Sequence, residues 1–270
     1  MEKTADVQVK ARDAASWLLA RGRSSATSAE LADLLGVPVN QVRQRLNAPA
    51  RRGEWVCPVR GLWVPVPPEY RLWGAPPGVD LVNVMMSHLG VGYYVGWLSA
   101  AAQLGISHQA PQVFQVATTS TVDDRTVGRT RFQFARRAAA LDLPTTQLVT
   151  RTGYARFATA ELVAFDIATD PDFCGGLDNA ATVIVELAEN SLLDGNRLAG
   201  LSAKFPAASG RRIGFILDNH SDADVDLNPL HKAVARAIVT PSRLNPSGMP
   251  TGAVDDRWQI FINRELEPDT

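Results

Sequence analysis

The stretch Thr27-Ser28-Ala29-Glu30-Leu31-Ala32-Asp33-Leu34-Leu35-Gly36-Val37-Pro38-Val39-Asn40-Gln41-Val42-Arg43-Gln44-Arg45-Leu46-Asn47-Ala48 decides how this chain is read. Its first four residues have the form of a capping box, in which a Thr hydroxyl and a Glu carboxylate each take up one of the free amides that begin a helix. Leu31, Leu34 and Leu35 supply an apolar side, and Gly36 stands where a left-handed C-terminal residue is wanted. Val37-Pro38 turns the chain, and a further helix is predicted from about Val39 to Ala48. Val39, Val42 and Leu46 share one of its faces; Asn40, Gln41, Gln44 and Asn47 look the other way, with Arg43 and Arg45 on the flanks.

Upstream, Ala11, Ala14, Ala15, Leu18 and Leu19 make an apolar stripe at helical spacing between Val9 and Arg21. Downstream, Arg51-Arg52-Gly53-Glu54-Trp55-Val56-Cys57-Pro58-Val59-Arg60-Gly61-Leu62-Trp63-Val64 reads as two short strands about an Arg60-Gly61 turn. Three helices and a hairpin in that order predict a winged helix-turn-helix. Asn and Gln can pair with adenine in a major groove, and Arg with guanine. The candidate DNA-binding residues are therefore Asn40, Gln41, Arg43, Gln44, Arg45, Asn47, Arg51, Arg52 and Arg60, with Thr27 and Ser28 capping a helix nearby. If about four to six phosphates are contacted, log K falls with log salt at a slope of roughly −4 to −5. Trp55 and Trp63 are expected in the packed base of the hairpin. A small helical subdomain with a solvated polar face, or a winged helix that binds protein, fits the same residues.

The whole chain has 270 residues, 46% hydrophobic and 20% charged, which permits a sizeable core and excludes wholesale disorder. Its net charge of −1 argues against a polybasic protein. Pro65, Pro67, Pro68, Pro76 and Pro77 mark a seam expected to be extended connector. The predicted organisation is thus a DNA-binding domain over 1–67, a proline-rich linker over 68–80 and an α+β domain over 81–270. Residues 1–67 hold ten Lys+Arg against six Asp+Glu, a net of +4, and residues 68–270 seventeen against twenty-two, a net of −5. Beyond the seam the patterns predict a buried helix at Tyr93–Leu104 and strands at Val113–Thr118 and Arg131–Phe134. A hairpin follows at Leu148–Phe157, then a helix capped by Thr159 and stopped at Asp170-Pro171, a helix at Leu177–Leu193, and a last strand at Trp258–Ile262. Strands first and helices later favour an α+β fold.

The blocks Tyr93-Tyr94-Val95-Gly96-Trp97-Leu98-Ser99-Ala100-Ala101-Ala102-Gln103-Leu104-Gly105 and Gln109-Ala110-Pro111-Gln112-Val113-Phe114-Gln115-Val116-Ala117 are distinctive. Together with Thr159-Ala160-Glu161-Leu162-Val163-Ala164-Phe165-Asp166 and Gly175-Gly176-Leu177, they make the chain resemble the AbiEi-type antitoxins of type IV, abortive-infection toxin–antitoxin systems of phage defence. The resemblance implies a transcriptional repressor that binds double-stranded DNA, at inverted repeats in its own promoter, through the helix at Val39–Ala48 and the wing at Trp55–Val64. It also implies a C-terminal domain that counteracts a cognate nucleotidyltransferase-like toxin. Paired operator sites would be filled by monomers binding cooperatively or by a weak dimer.

Residues for chemistry are sparse. His88, His108, His220 and His231 form no HExxH pair, and no GxSxG elbow or phosphate-binding Gly-rich loop is present. Ser99 reads as a packed small residue. Asp218, His220, Asp222, Asp224 and Asp226 alternate in what is expected to be a solvated loop; a calcium loop begun at Asp222 would place Leu227 and Ala233 where Gly and Glu are needed. Arg129, Arg131, Arg136 and Arg137 are read first as a wet strand face, second as a nucleic-acid or toxin surface. No enzyme activity, metal or cofactor is expected. Two cysteines, Cys57 and Cys174, argue against a disulfide framework and exclude a Cys-rich zinc site, the N-terminus has no signal-peptide pattern, and the uncharged run Leu81–Val122 is too broken by Gly, Pro and amides to span a bilayer. A cytoplasmic protein is expected. The alternative reading is a one-component, ligand-responsive transcriptional regulator in which Leu81–Val122 lines a small-molecule pocket.

Overall fold

The computed structural model describes residues 8–106, 113–235 and 240–268. His108 and the Gln109–Gln112 part of the second resemblance block lie outside the described residues, as do Met1–Asp6. In chain order the elements begin with α1 (Ala14–Leu19), β1 (Ala26–Thr27), α2 (Ser28–Leu35), α3 (Val42–Arg51, entered through a 3-10 turn at Val39–Gln41), β2 (Trp55–Val59) and β3 (Leu62–Pro65). A second 3-10 turn (Pro68–Trp73) leads to α4 (Gly78–Leu89), β4 (Tyr93–Val95), α5 (Trp97–Gln103), β5 (Val113–Thr118), β6 (Arg125–Val127), β7 (Thr130–Arg136), β8 (Thr145–Thr150) and β9 (Gly153–Ala158). Then come α6 (Ala160–Thr169), α7 (Leu177–Glu189), α8 (Gly195–Ser202), α9 (Ala207–His220) and α10 (Asn228–Ala235), followed by β10 (Ser242–Arg243), β11 (Val254–Asp255) and β12 (Ile260–Phe261). The fold is mixed α+β, with sheets of order β1-β3-β2, β6-β7-β5-β4-β9-β8 and β10-β12-β11. Two compact units divide the chain: residues 1–93, 112–141 and 147–156 make the first, and residues 94–111, 142–146 and 157–270 the second.

In the first unit the capping box forms as its residues predict. The Glu30 amide donates to Thr27 Oγ1 at 3.2 Å, and the Thr27 amide donates to Glu30 Oε2 at 2.7 Å. Gly36, at φ +63°, closes α2 in the left-handed region that a side chain would resist. The third helix departs from expectation at both ends. Val39 is 53% exposed, because a 3-10 turn of three residues rotates it off the line of Val42 and Leu46. At the other end α3 continues through Pro49 to Arg51. Proline offers no amide there. The amides of Arg52, Gly53 and Glu54 finish the turn on the carbonyls of Ala48, Pro49 and Ala50.

The core beneath these helices joins Ala14, Ala15 and Leu18 to Leu31, Val42, Leu46, Trp55 and Trp63. The two indoles meet edge to face at 6.4 Å, in the packed hairpin base that their pattern suggests. Strands β2 and β3 pair antiparallel, Val56 with Val64 and Val59 with Leu62, around a bulge. Strand β1 adds to β3, with Ala26 opposite Trp63. Pro68–Trp73 winds into 3-10 helix where the prolines predict extended chain; Pro68 sits at its first turn, where a fixed φ helps and no donor is needed. Further on, β5 and β7 pair in parallel from Val113 and Arg131 to Thr118 and Arg136, and β6 returns antiparallel on β7.

The second unit is built around α6, whose residues Ala160 to Ala168 are all buried. Apart from Glu161 and Asp166 those buried residues are apolar and must be enclosed, and α5, α7, α8 and α9 pack on the helix. Thr159 caps it, accepting from the Leu162 amide, and Asp170-Pro171 ends it, as the sequence predicts. Three expectations fail here. Tyr93–Val95 is strand, and the helix begins only at Trp97: aromatic and β-branched side chains suit a pleat, and Gly96 is extended at φ −127° and ψ −165°. The helix predicted to Leu193 ends at Glu189; Ser191 turns at φ +55°, and the Asp194 carboxylate accepts from the Arg197 amide at 2.8 Å to start α8. The last strand shrinks to Ile260–Phe261, because Trp258 lies buried in a turn with its indole donating to Asp218 at 2.6 Å.

Candidate functional site

The outward side of α3 is polar along its whole length. Asn40, Arg43, Gln44, Arg45, Asn47 and Arg51 are exposed, and Gln41 is half-buried in the 3-10 turn. The side chains of Arg45 and Arg51 make no hydrogen bond or ion pair among the described residues. Burial pushes the Cys57 thiol on β2 up, against a smaller lowering by the Gly61 backbone and the charge of Arg43. Arg60 stands exposed beside Gly61, whose φ of +84° makes the tight turn, and the His88 ring donates through Nε2 to the Arg60 carbonyl at 3.1 Å. That bond fixes the backbone from which the exposed Arg60 side chain extends.

Three further residues have structural work. Arg52 is exposed but bonded through Nε to Glu54 Oε1 at 2.7 Å and through a second nitrogen to Oε2 at 3.2 Å, and those bonds hold its guanidinium more firmly protonated. Thr27 is the N-cap of α2. Ser28 accepts from the Trp63 indole at 3.1 Å and donates its amide to the Gly61 carbonyl at 2.8 Å, which ties the start of α2 to the hairpin. Burial raises the Glu30 carboxyl, but bonds from the Thr27 amide and hydroxyl and from Arg23 outweigh it and hold the group below its ordinary value of 4.5.

Sequence order hides how much positive charge this unit carries. Its three segments contain eighteen Lys+Arg and ten Asp+Glu, a formal +8, whereas the second unit contains nine and eighteen, a formal −9. The extra cations arrive with the segments after α5. Arg129, Arg131 and Arg136 are exposed on or beside β7, and Arg137 is half-buried. Nothing local in the sequence signals this, since contacts between distant residues, such as the Thr119 amide on the Gly92 carbonyl and the Arg151 amide on Asp80, assemble the unit.

Polar groups of the second unit are mostly interior ties. Tyr94 donates to Asp166 at 2.9 Å in the core, and a Cβ on Gly96 would stand 2.7 Å from the other Asp166 oxygen. Burial and the charges of Asp166 and Asp170 push the Cys174 thiol well up, away from nucleophilic use. Arg212 is buried and spends its guanidinium on the carbonyls of Ala168, Arg243 and Leu244. In the acidic stretch, Asp218 belongs to α9 and pairs with Arg257 at 2.9 Å, and Asp226 accepts from the Asn228 amide. Asp222 and Asp224 are exposed. Among the described residues no group of three or more His, Cys, Asp or Glu could hold a metal, and no helix is long and apolar enough to cross a membrane.

The solved crystal structure of RV2827C protein from Mycobacterium tuberculosis is similar in fold, with a TM-score of 0.65 over 95% of this chain and 92% of that chain, at 18% sequence identity. No curated sequence matches this chain. The family model described as the AbiEi antitoxin C-terminal domain matches residues 94–219. That span holds the Tyr94–Gly105, Thr159–Asp166 and Gly175-Gly176-Leu177 blocks, the buried α6 and the Tyr94–Asp166 tie. Residues 94–219 thus match the AbiEi antitoxin C-terminal domain.

Proposed function

We propose that this chain is an AbiEi-type antitoxin and also a DNA-binding autorepressor. In this reading the order α1, β1, α2, α3, β2, β3 is a winged helix-turn-helix, α3 enters a major groove, and the Arg60 turn is the wing. The observation that carries it is the row Arg43, Gln44, Arg45, Asn47 and Arg51, exposed on one helix of a unit with a formal +8. Amides and guanidinium groups are the side chains that read adenine and guanine edges. Arg52, shared with Glu54, contributes less than the others, and Thr27 and Ser28 act by fixing α2 against the hairpin. The operator is an inverted repeat in the protein's own promoter, filled by cooperating monomers or a weak dimer. The second unit counteracts a nucleotidyltransferase-like toxin without chemistry of its own.

Fluorescence anisotropy with the DNA upstream of the protein's own gene tests the first part. Arg43→Ala and Arg45→Ala each weaken binding by about 1–3 kcal/mol. Unchanged affinity in both variants, with specific binding by the parent chain, would remove α3 from the interface. For the antitoxin part, co-expression with the neighbouring gene product relieves its growth arrest; continued arrest sinks the partner assignment.

A further inference from the structure

Glu161 lies in the first turn of α6, two residues past the Thr159 cap, a place where an acid favours the helix dipole and is usually wet. Here its side chain is only 5% exposed. No hydrogen-bond donor among the described residues reaches its buried Oε1. The nearest cation, Arg197, holds its Nη1 3.8 Å away on a side chain that is 77% exposed. A carboxylate oxygen withdrawn from water without a donor is costly, so the position calls for a donor from outside the chain.

Glu161 lines an open pocket of about 430 Å³ within the second unit, the size of a small-molecule site. Asp142 adds a second acid to its wall, Arg197 and Lys204 add two cations, and Pro144 and Leu201 add apolar surface. A simple amine would meet Arg197 and Lys204 as like charges, and a simple acid would meet Glu161 and Asp142. A ligand with both charges a few bonds apart satisfies both pairs. We propose that this pocket binds a free α-amino acid with an apolar side chain. Its ammonium donates to Glu161, its carboxylate lies against Arg197 and Lys204, and its side chain packs on Pro144 and Leu201. The proposal does not rest on the DNA reading.

Calorimetric titration of the full chain with L-leucine, L-isoleucine, L-valine and L-methionine is the test. At least one binds with a Kd below about 1 mM. Leucinamide, which lacks the carboxylate, and 4-methylpentanoate, which lacks the amine, each bind roughly tenfold more weakly than L-leucine or worse. Glu161→Gln and Arg197→Ala each lose about tenfold or more. No heat from any of the four amino acids at about 10 mM overturns the proposal, as does equal binding of the two analogues or unchanged affinity in the variants. Should Glu161→Gln fail to fold, Arg197→Ala decides alone, since that side chain stands in solvent.

Discussion

The two units differ in the arginines they leave unpaired. In the second, Arg212 is enclosed by three carbonyls, Arg257 is paired with Asp218, and Arg264 with Asp178. In the first, Arg45, Arg51 and Arg60 extend from α3 and the hairpin turn with no partner for their guanidinium groups among the described residues. Arg23, Arg52 and Arg151 of the first unit are fastened as well, to Glu30, Glu54 and Glu69, so what distinguishes it is the set of unspent charges on α3 and the hairpin turn. Net charge locates the difference only when counted by compact unit, where it is +8 and −9 rather than +4 and −5. Charge of that size is a property of partners and steering, not of fold.

The largest expected effect breaks the interior side of this contrast. Gly214 in α9 lies flat against the Trp258 indole, with no room for a Cβ. Gly214→Val therefore destabilises the protein by about 3 kcal/mol or more, read as a lower urea midpoint by circular dichroism. An unchanged midpoint would contradict that packing. Next, removing Arg43, Arg45 and Arg60 together flattens the plot of log K for operator DNA against log salt by about 3. Arg257→Ala, which removes a fastener, leaves the slope where it was. Equal slopes for the two variants would erase the distinction between units.

A smaller effect concerns the first turn of α2. Thr27→Ala costs about 1 kcal/mol in thermal or chemical unfolding. The capping partner Glu30 also makes that turn sensitive to acid. Its folded-state carboxyl sits below its ordinary value of 4.5, so it contributes stability above that pH and loses it as pH falls through the lower folded value. Glu30→Gln removes this part of the acid sensitivity, and an identical acid melting curve would count against the box. The smallest change is chemical. In the native protein Cys57 reacts with an aromatic disulfide reagent and Cys174 waits for denaturant, since both thiols are pushed up but only Cys57 is exposed, and Cys174 is buried and raised the further. Two thiols titrating together without denaturant would refute it.

Local signals are legible in the sequence and distant ones are not. The capping box, Gly36, the polar face of α3 and the Asp170-Pro171 stop are each decided within a few residues, and they appear as their sequence predicts. The family blocks are readable because the residues themselves carry the likeness. Tyr93–Val95 reads as helix because apolar runs look alike until a sheet partner is known; β9 supplies one, with Val95 opposite Phe157. The burial of Glu161 is invisible for the same reason. Thr-Ala-Glu-Leu is an ordinary exposed helix start until Leu201, Pro144 and their neighbours close around it.

The three carbonyls around Arg212 set a lower limit on any fragment meant to fold alone. Two of them, on Arg243 and Leu244, lie more than twenty residues beyond the last residue of the family match at 219. A fragment cut at that boundary keeps the guanidinium and discards two of its three carbonyls, leaving an interior cation with the Ala168 carbonyl and the charge of Asp170. Such a fragment aggregates instead of standing as a trimmed domain. The homologous segment and the autonomous folding unit are different lengths of this chain, and expression of the second unit has to follow the arginine rather than the family boundary.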